Sequence, residues 1–159
     1  NNASGIFNSG VSAADGTEVA ARGIGLGAKS DGSGDFALAG PNNFIGHLTR
    51  RVVIGGLDLP ARVFGVTSPV PVGVESPFTD GLEVSLERAE EIEAEGIGAY
   101  LYSGSNAITT STNPGTGLCY QNGLLRVAQS TEQPVYTLVA NNLTPLNTGG
   151  LRIRAVSAV

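Results

Sequence analysis

Thr116-Gly117-Leu118-Cys119-Tyr120-Gln121-Asn122-Gly123-Leu124-Leu125-Arg126-Val127-Ala128-Gln129 carries the strongest local signal in the chain. Asn122-Gly123 separates two short apolar-rich runs, and both residues tolerate positive φ. That pattern predicts a two-residue type I′ hairpin, whose twist matches that of the flanking strands. Alternation then sets Leu118 and Tyr120 on one face of the first strand, with Cys119 and Gln121 on the other. Along the second strand, Leu125 and Val127 alternate with Leu124, Arg126 and Ala128. No residue in the stretch is placed for catalysis. The hairpin points to a small, twisted, mostly antiparallel protein.

The bulk composition agrees. The chain has 159 residues, 41% of them hydrophobic but only 14% charged, with 23 Gly and 8 Pro. Charge is well below the roughly 25% usual in globular domains, which fits an all-β protein whose surface is largely Ser, Thr, Asn and Gly, or is covered by neighbours, and not a helical bundle. The net charge of −5 argues against a nucleic-acid partner, because phosphate binding needs clustered Lys and Arg. A single Cys cannot form an internal disulfide, so Cys119 is read as a small apolar residue of the hairpin, with a reactive thiol as the alternative. No run reaches the roughly 20 apolar residues of a membrane helix, and Asn1-Asn2-Ala3-Ser4-Gly5 does not read as a signal peptide.

Taken in order, residues 1–18 are small and polar, with Ile6, Phe7 and Val11 as isolated apolar points. They read as disordered, or as an extended arm that orders against another subunit. Residues 19–28 read as one Gly-interrupted strand, in which Gly23, Gly25 and Gly27 leave one face open to another backbone. The spacing is not a dinucleotide fingerprint, and Asp31-Gly32-Ser33-Gly34-Asp35 lacks calcium-loop spacing and reads as a solvated turn. The lone His47 reads as structural. Strands are expected at 51–54 and 62–66, and the Pro-rich 68–77 reads as an extended crossing between two halves.

Leu82–Glu87 and Glu91–Glu95 both alternate with period two, although a helix fits some of the same letters. Read as two strands, they turn Glu83, Glu87, Glu90, Glu91, Glu93 and Glu95 outward as a solvated acidic face. Further strands are expected at 99–102, briefly at 107–110, at 135–140 and at 151–156. In the last, Leu151, Ile153 and Ala155 face inward and Arg152 and Arg154 outward. No nucleophile elbow, His/Asp/Ser set, Cys/His metal group, Walker loop or HExxH helix is found. The expected fold is all-β, or β-rich with at most one short helix: a small antiparallel barrel or sandwich, or a tulip-like sheet domain, with an extended N-terminal arm. Residues 1–18 would form the arm and 19–159 a single domain, with a candidate division near 68–78.

The order of pieces over residues 79–154 resembles the bacteriophage head decoration, or capsid cement, proteins. The motifs are Thr79-Asp80-Gly81-Leu82-Glu83-Val84-Ser85-Leu86, Ala89 to Glu95, Gly104-Ser105-Asn106-Ala107-Ile108, Gln121 to Gln129 and Val135-Tyr136-Thr137-Leu138. The resemblance covers about half the chain. It implies a non-enzymatic virion protein without metal or cofactor, on the outer surface of the capsid, that bridges neighbouring major capsid proteins as a homo-oligomer, commonly a trimer. Candidate capsid or inter-subunit contacts are then Ile6, Phe7 and Val11, the Arg50-Arg51 pair, and Glu83 and Glu87. Three rivals remain: a phage tail or fibre component, a sugar-binding β-domain using Tyr100, Tyr102 and Tyr120, and a carboxylate hydrolase using the Glu run.

Overall fold

The computed structural model describes residues 2–55, 77–94, 99–140 and 152–158. The expected strand at 62–66, most of the Pro-rich crossing, Glu95 and Leu151 lie outside these residues. The described chain forms thirteen strands: β1 (Asn2–Ile6), β2 (Glu18–Ala20), β3 (Gly25–Ala28), β4 (Phe36–Leu38), β5 (Phe44–Leu48), β6 (Val52–Val53), β7 (Phe78–Thr79), β8 (Glu83–Glu87), β9 (Glu91–Ala94), β10 (Gly117–Gln121), β11 (Leu124–Val127), β12 (Tyr136–Ala140) and β13 (Ile153–Ser157). The fold is all-β, as expected. There are two five-stranded antiparallel sheets, ordered β1-β8-β5-β3-β4 and β11-β10-β12-β13-β9, and a small third sheet, β2-β6-β7, whose Ala20 and Val52 pack into the core of the first.

The hairpin forms in the expected register, with Leu118 opposite Val127 and Gln121 opposite Leu124. Asn122 and Gly123 both take positive φ, 52° and 79°, as a type I′ turn requires. Leu118, Tyr120 and Leu125 enter the core of the second sheet with Tyr100, Ile108, Tyr136, Leu138, Ile153 and Ala155. In β13, Ile153 and Ala155 are buried and Arg154 is partly exposed, as the alternation predicts.

Both large sheets curl. In the first, Phe7 at the end of β1 bridges Phe36 of β4, so the two edges of the sheet meet. Phe7, Leu26, Phe36, Leu48, Val84 and Leu86 fill the space enclosed. In the second, Ala94 ends β9 on one edge and Tyr100 bridges β11 beyond the other. Six residue steps reach about 21 Å at most. A flat sheet would set these segments about 24 Å apart at ~4.8 Å per strand, so the sheet must bend round its own core.

The N-terminal expectation is corrected. Residues 2–6 pair with β8 of the same chain, from Asn2 opposite Glu87 to Ile6 opposite Glu83. Phe7 is 2% exposed. The Ser9 amide and hydroxyl both donate to the Asp80 carboxylate, at 2.8 and 2.6 Å, and the Gly16 amide donates to the Ile54 carbonyl at 2.8 Å. A strand needs few apolar residues when every second one faces solvent and its amides bond to a neighbour, so low hydrophobicity did not mean an unattached arm.

Three smaller differences have local causes. Residues 19–28 split into β2 and β3 because Gly23 adopts φ 87° and turns the chain between them. Residues 99–102 make only the single Tyr100–Leu125 bridge. No strand forms at 107–110, where the Thr112 hydroxyl accepts from the Thr109 amide at 3.0 Å and that of Thr109 from the Ser111 amide at 3.2 Å. Local side-chain bonds of this kind compete with a ladder. Asp31–Gly34 is the exposed turn expected between β3 and β4, with the Ser33 amide donating to Asp31 at 2.9 Å.

The two large sheets touch where the hairpin turn meets β3. The Gly25 amide donates to the Gly123 carbonyl at 2.8 Å, Gly123 to Ala39 at 2.9 Å, and Ala39 back to Gly25 at 2.9 Å. This closed set of backbone bonds needs a bare Cα at Gly25, where an added Cβ would lie 2.7 Å from the Tyr120 ring. The close approach expected at the Gly-rich face is therefore real. Gly25→Val is expected to lower stability by about 1–3 kcal/mol through overpacking. Gly40→Ala, whose methyl meets only Asn43 Oδ1 at 3.6 Å, should be near neutral; calorimetric melting of both variants checks the contrast.

Candidate functional site

The seam between the two large sheets is an aromatic cluster. Phe44 of β5 stacks on Tyr120 of β10 with ring centroids 4.4 Å apart. His47 lies 5.0 Å from Phe44, 5.7 Å from Tyr120 and 5.8 Å from Tyr136 of β12. A register shift between β3 and β5, where Leu26 pairs with Gly46 but Gly27 with Phe44, breaks the alternation: Ile45 and Leu48 pack on the first core, while Phe44 and His47 both turn toward the second sheet. The Arg88 guanidinium lies over the Phe44 ring at 5.1 Å. The Tyr136 hydroxyl donates to the Ala89 carbonyl at 2.8 Å, pinning the segment that carries the chain from β8 to β9.

His47 Nε2 is hydrogen-bonded to the Tyr120 hydroxyl. Burial holds the imidazole pKa down to about 4, only partly opposed by its hydrogen bond with the Glu87 backbone. Burial pushes the Tyr120 phenol well above its ordinary range. At neutral pH both groups are therefore uncharged. The bond with the Glu87 backbone raises the imidazole pKa, as one donated by the ring does, which assigns the ring proton to Nδ1 and leaves Nε2 to accept from the phenol. The only histidine of the chain is thus structural in the sense expected: a hydrogen-bonded link between two sheets.

Beside this link lies a cleft of about 640 Å³. His47, Tyr120, Leu48, Ile92 and Ala94 contribute to its walls, with Arg22, Glu87 and Glu93 as its charged groups. The acidic run behaves as the period of two predicts, since Glu83, Glu87, Glu90, Glu91 and Glu93 are all exposed, Glu87 and Glu93 at the cleft. The two halves of that run nevertheless belong to different sheets, β8 in the first and β9 in the second. Glu91 is near Arg154 of β13, at 3.5 Å.

The other candidate contacts are distributed unevenly. Ile6 is 39% exposed and pairs with Glu83, while Glu87 lies further along the same outward face of β8. Phe7 is interior, and its assignment as a contact residue is corrected: its ring fills the barrel-like core. Val11 is 51% exposed. Arg50 sits over the Phe78 ring at 4.5 Å, and Arg51 pairs with Glu18 at 3.7 Å across β2 and β6. The arginines are thus engaged at the three-stranded sheet, apart from the Ile6–Glu83 face. Of the proposed sugar platforms Tyr100, Tyr102 and Tyr120, the first and last are 2% and 1% exposed, and Tyr102 is half-buried. Among the described residues, no three His, Cys, Asp or Glu side chains converge as a metal group, and no helix is long and apolar enough to cross a membrane.

One constellation escaped the sequence. Arg126, on the outer face of the hairpin, is only 4% exposed. Its guanidinium donates to both Glu132 oxygens at 2.8 Å, to Gln121 Oε1 at 2.7 Å and to the Val127 carbonyl at 2.9 Å. Glu132 also accepts from the Gln129 amide at 2.7 Å and contacts the Cys119 thiol at 3.4 Å. Bonding to Arg126 lowers the Glu132 pKa to about 2. Burial, reinforced by the bond to Glu132, raises the Cys119 thiol to about 11. Cys119 is therefore a buried neutral thiol under an ion pair.

No family model, curated protein or solved structure matches this chain.

Proposed function

We propose that this chain is a non-enzymatic structural protein that docks on the outer surface of a phage head and bridges neighbouring copies of the major capsid protein as a homo-oligomer, such as a trimer. The observation that carries the reading is the exposed carboxylate face of β8 and β9, with Glu83, Glu87 and Glu93 outward on two curled, well-packed sheets. It offers a rigid acidic surface to a basic partner, flanked by the exposed apolar side chains Ile6 and Leu82. The order of motifs over residues 79–154 supports the same assignment. Many copies on one particle would let individually modest contacts hold through avidity.

Imaging purified virions is the direct test. Density for the chain over capsomer junctions is the expected result. Density on the tail would transfer the assignment to a tail or fibre component, and its absence from the particle would end the virion reading. Attachment to stripped heads should weaken as salt rises, because exposed charges are screened beyond about 8–10 Å at physiological ionic strength. The variant E83Q/E87Q should flatten that salt dependence, whereas an unchanged slope would remove the carboxylate face from the contact.

A further inference from the structure

His47 is held at the contact between the sheets, yet the same ring forms part of the wall of the 640 Å³ cleft. Protons and water can therefore reach a group that is otherwise packed among Phe44, Tyr120 and Tyr136. The titratable and charged groups around it come from several elements. β8 brings Glu87, directly opposite His47 in the ladder, and Arg88 follows it. Tyr120 comes from β10 and Tyr136 from β12. Glu93 of β9 and Arg22 complete the charged lining of the cleft.

We propose that protonation of His47 unlatches this seam, with the imidazolium leaving Tyr120 and turning into the cleft toward Glu87 and Glu93. The geometry requires a choice. An imidazolium has no lone pair at Nε2, so it cannot accept the Tyr120 proton; the contact survives only reversed, with the ring donating and the buried phenol turning its own proton away from its acceptor. The neighbouring Arg88 adds like-charge repulsion, and the aromatic wall offers a cation poor solvation. The cleft offers water and two carboxylates. Once His47 has turned, the Phe44–Tyr120 stack loses one side of its support, and the sheets remain joined there chiefly by the Gly25–Ala39–Gly123 backbone bonds. The device is acid-triggered and reversible, and it does not depend on the proposed docking partner.

The sequence contains one histidine, so the ring C–H signals of the intact chain can be followed by NMR from pH 7.5 to 3.5 without assignment. The expected titration centres near pH 4, with tyrosine near-ultraviolet circular dichroism changing at the same midpoint while the far-ultraviolet strand signal persists. His47→Gln, which can still bond to Tyr120 but cannot become charged, should abolish the near-ultraviolet transition. Persistence of that transition at the same midpoint in H47Q would overturn the proposal, as would a ring that titrates while the tyrosine signal stays constant. If H47Q does not fold, Tyr120→Phe supplies the second arm: it removes the donor that favours neutral imidazole. Its ring midpoint should rise by about one pH unit, a tenfold easier protonation, and an unmoved midpoint would equally overturn the latch.

Discussion

Replacing Phe7 by alanine is expected to lower stability by about 3–5 kcal/mol, the usual range for deleting a buried aromatic ring. Phe7 is 2% exposed and lies among Leu26, Phe36, Leu48, Val84 and Leu86. It also makes the bridge to Phe36 that joins the two edges of the first sheet. Losing the ring therefore both empties part of the core and weakens the closure. In a domain of this size the change corresponds to a fall in melting temperature of roughly 10 °C or more. Deleting residues 1–7 should do still more, because β8 would lose its β1 partner. Val11→Ser, at a position 51% exposed, should stay within about 0.5 kcal/mol. If F7A melts like the parent chain, the N-terminal segment does not occupy its own barrel-like core in solution.

Arg126→Met is the second large effect. It would leave the Glu132 carboxylate half-enclosed beneath the hairpin without its bidentate partner, and stranding one member of a buried pair is far worse than replacing both. A fall of roughly 5–10 °C in melting temperature is expected. Glu132→Gln should be milder, since the amide oxygen still accepts from Arg126. The double variant R126M/E132Q should melt above the sum of the two losses, and strict additivity in that cycle would mean the pair is not coupled. The sign of the pH dependence follows from Glu132. Its folded pKa of about 2 lies below the ordinary value of 4.5, so its contribution is complete above about pH 4.5 and is lost progressively as pH falls toward 2. In R126M that part of the acid sensitivity should disappear.

Much of the architecture was legible along the chain because β-structure writes itself in local rules. Asn122-Gly123 specified a turn, period-two alternation specified which side of each strand faces inward, and bare glycines marked a close backbone approach. These held for β8, β9, the β10–β11 hairpin, β13 and Gly25. Burial of Phe7 was missed because composition was read as a proxy for order. A polar strand of five residues can be held by its backbone partners while a single ring at its end does the anchoring. The Arg126–Glu132 pair was missed for a related reason: alternation places Arg126 on the outer face of the hairpin, but says nothing of the turn at 128–133 that returns to cover that face.

The one-dimensional pattern was thus enough to establish that this is a sheet protein, how side chains alternate along β8, β9, the hairpin and β13, and that the described Glu residues of the run are outward. Its determinants act over two to four residues, within reach of φ/ψ preference and side-chain period. Long-range closure settled the rest: that β8 and β9 part into different sheets, that Phe7 seals the first of them, and that His47 meets Tyr120 across seventy-three positions of sequence. Those contacts depend on how curled sheets pack against one another, and packing between distant segments leaves no periodic trace in either of them.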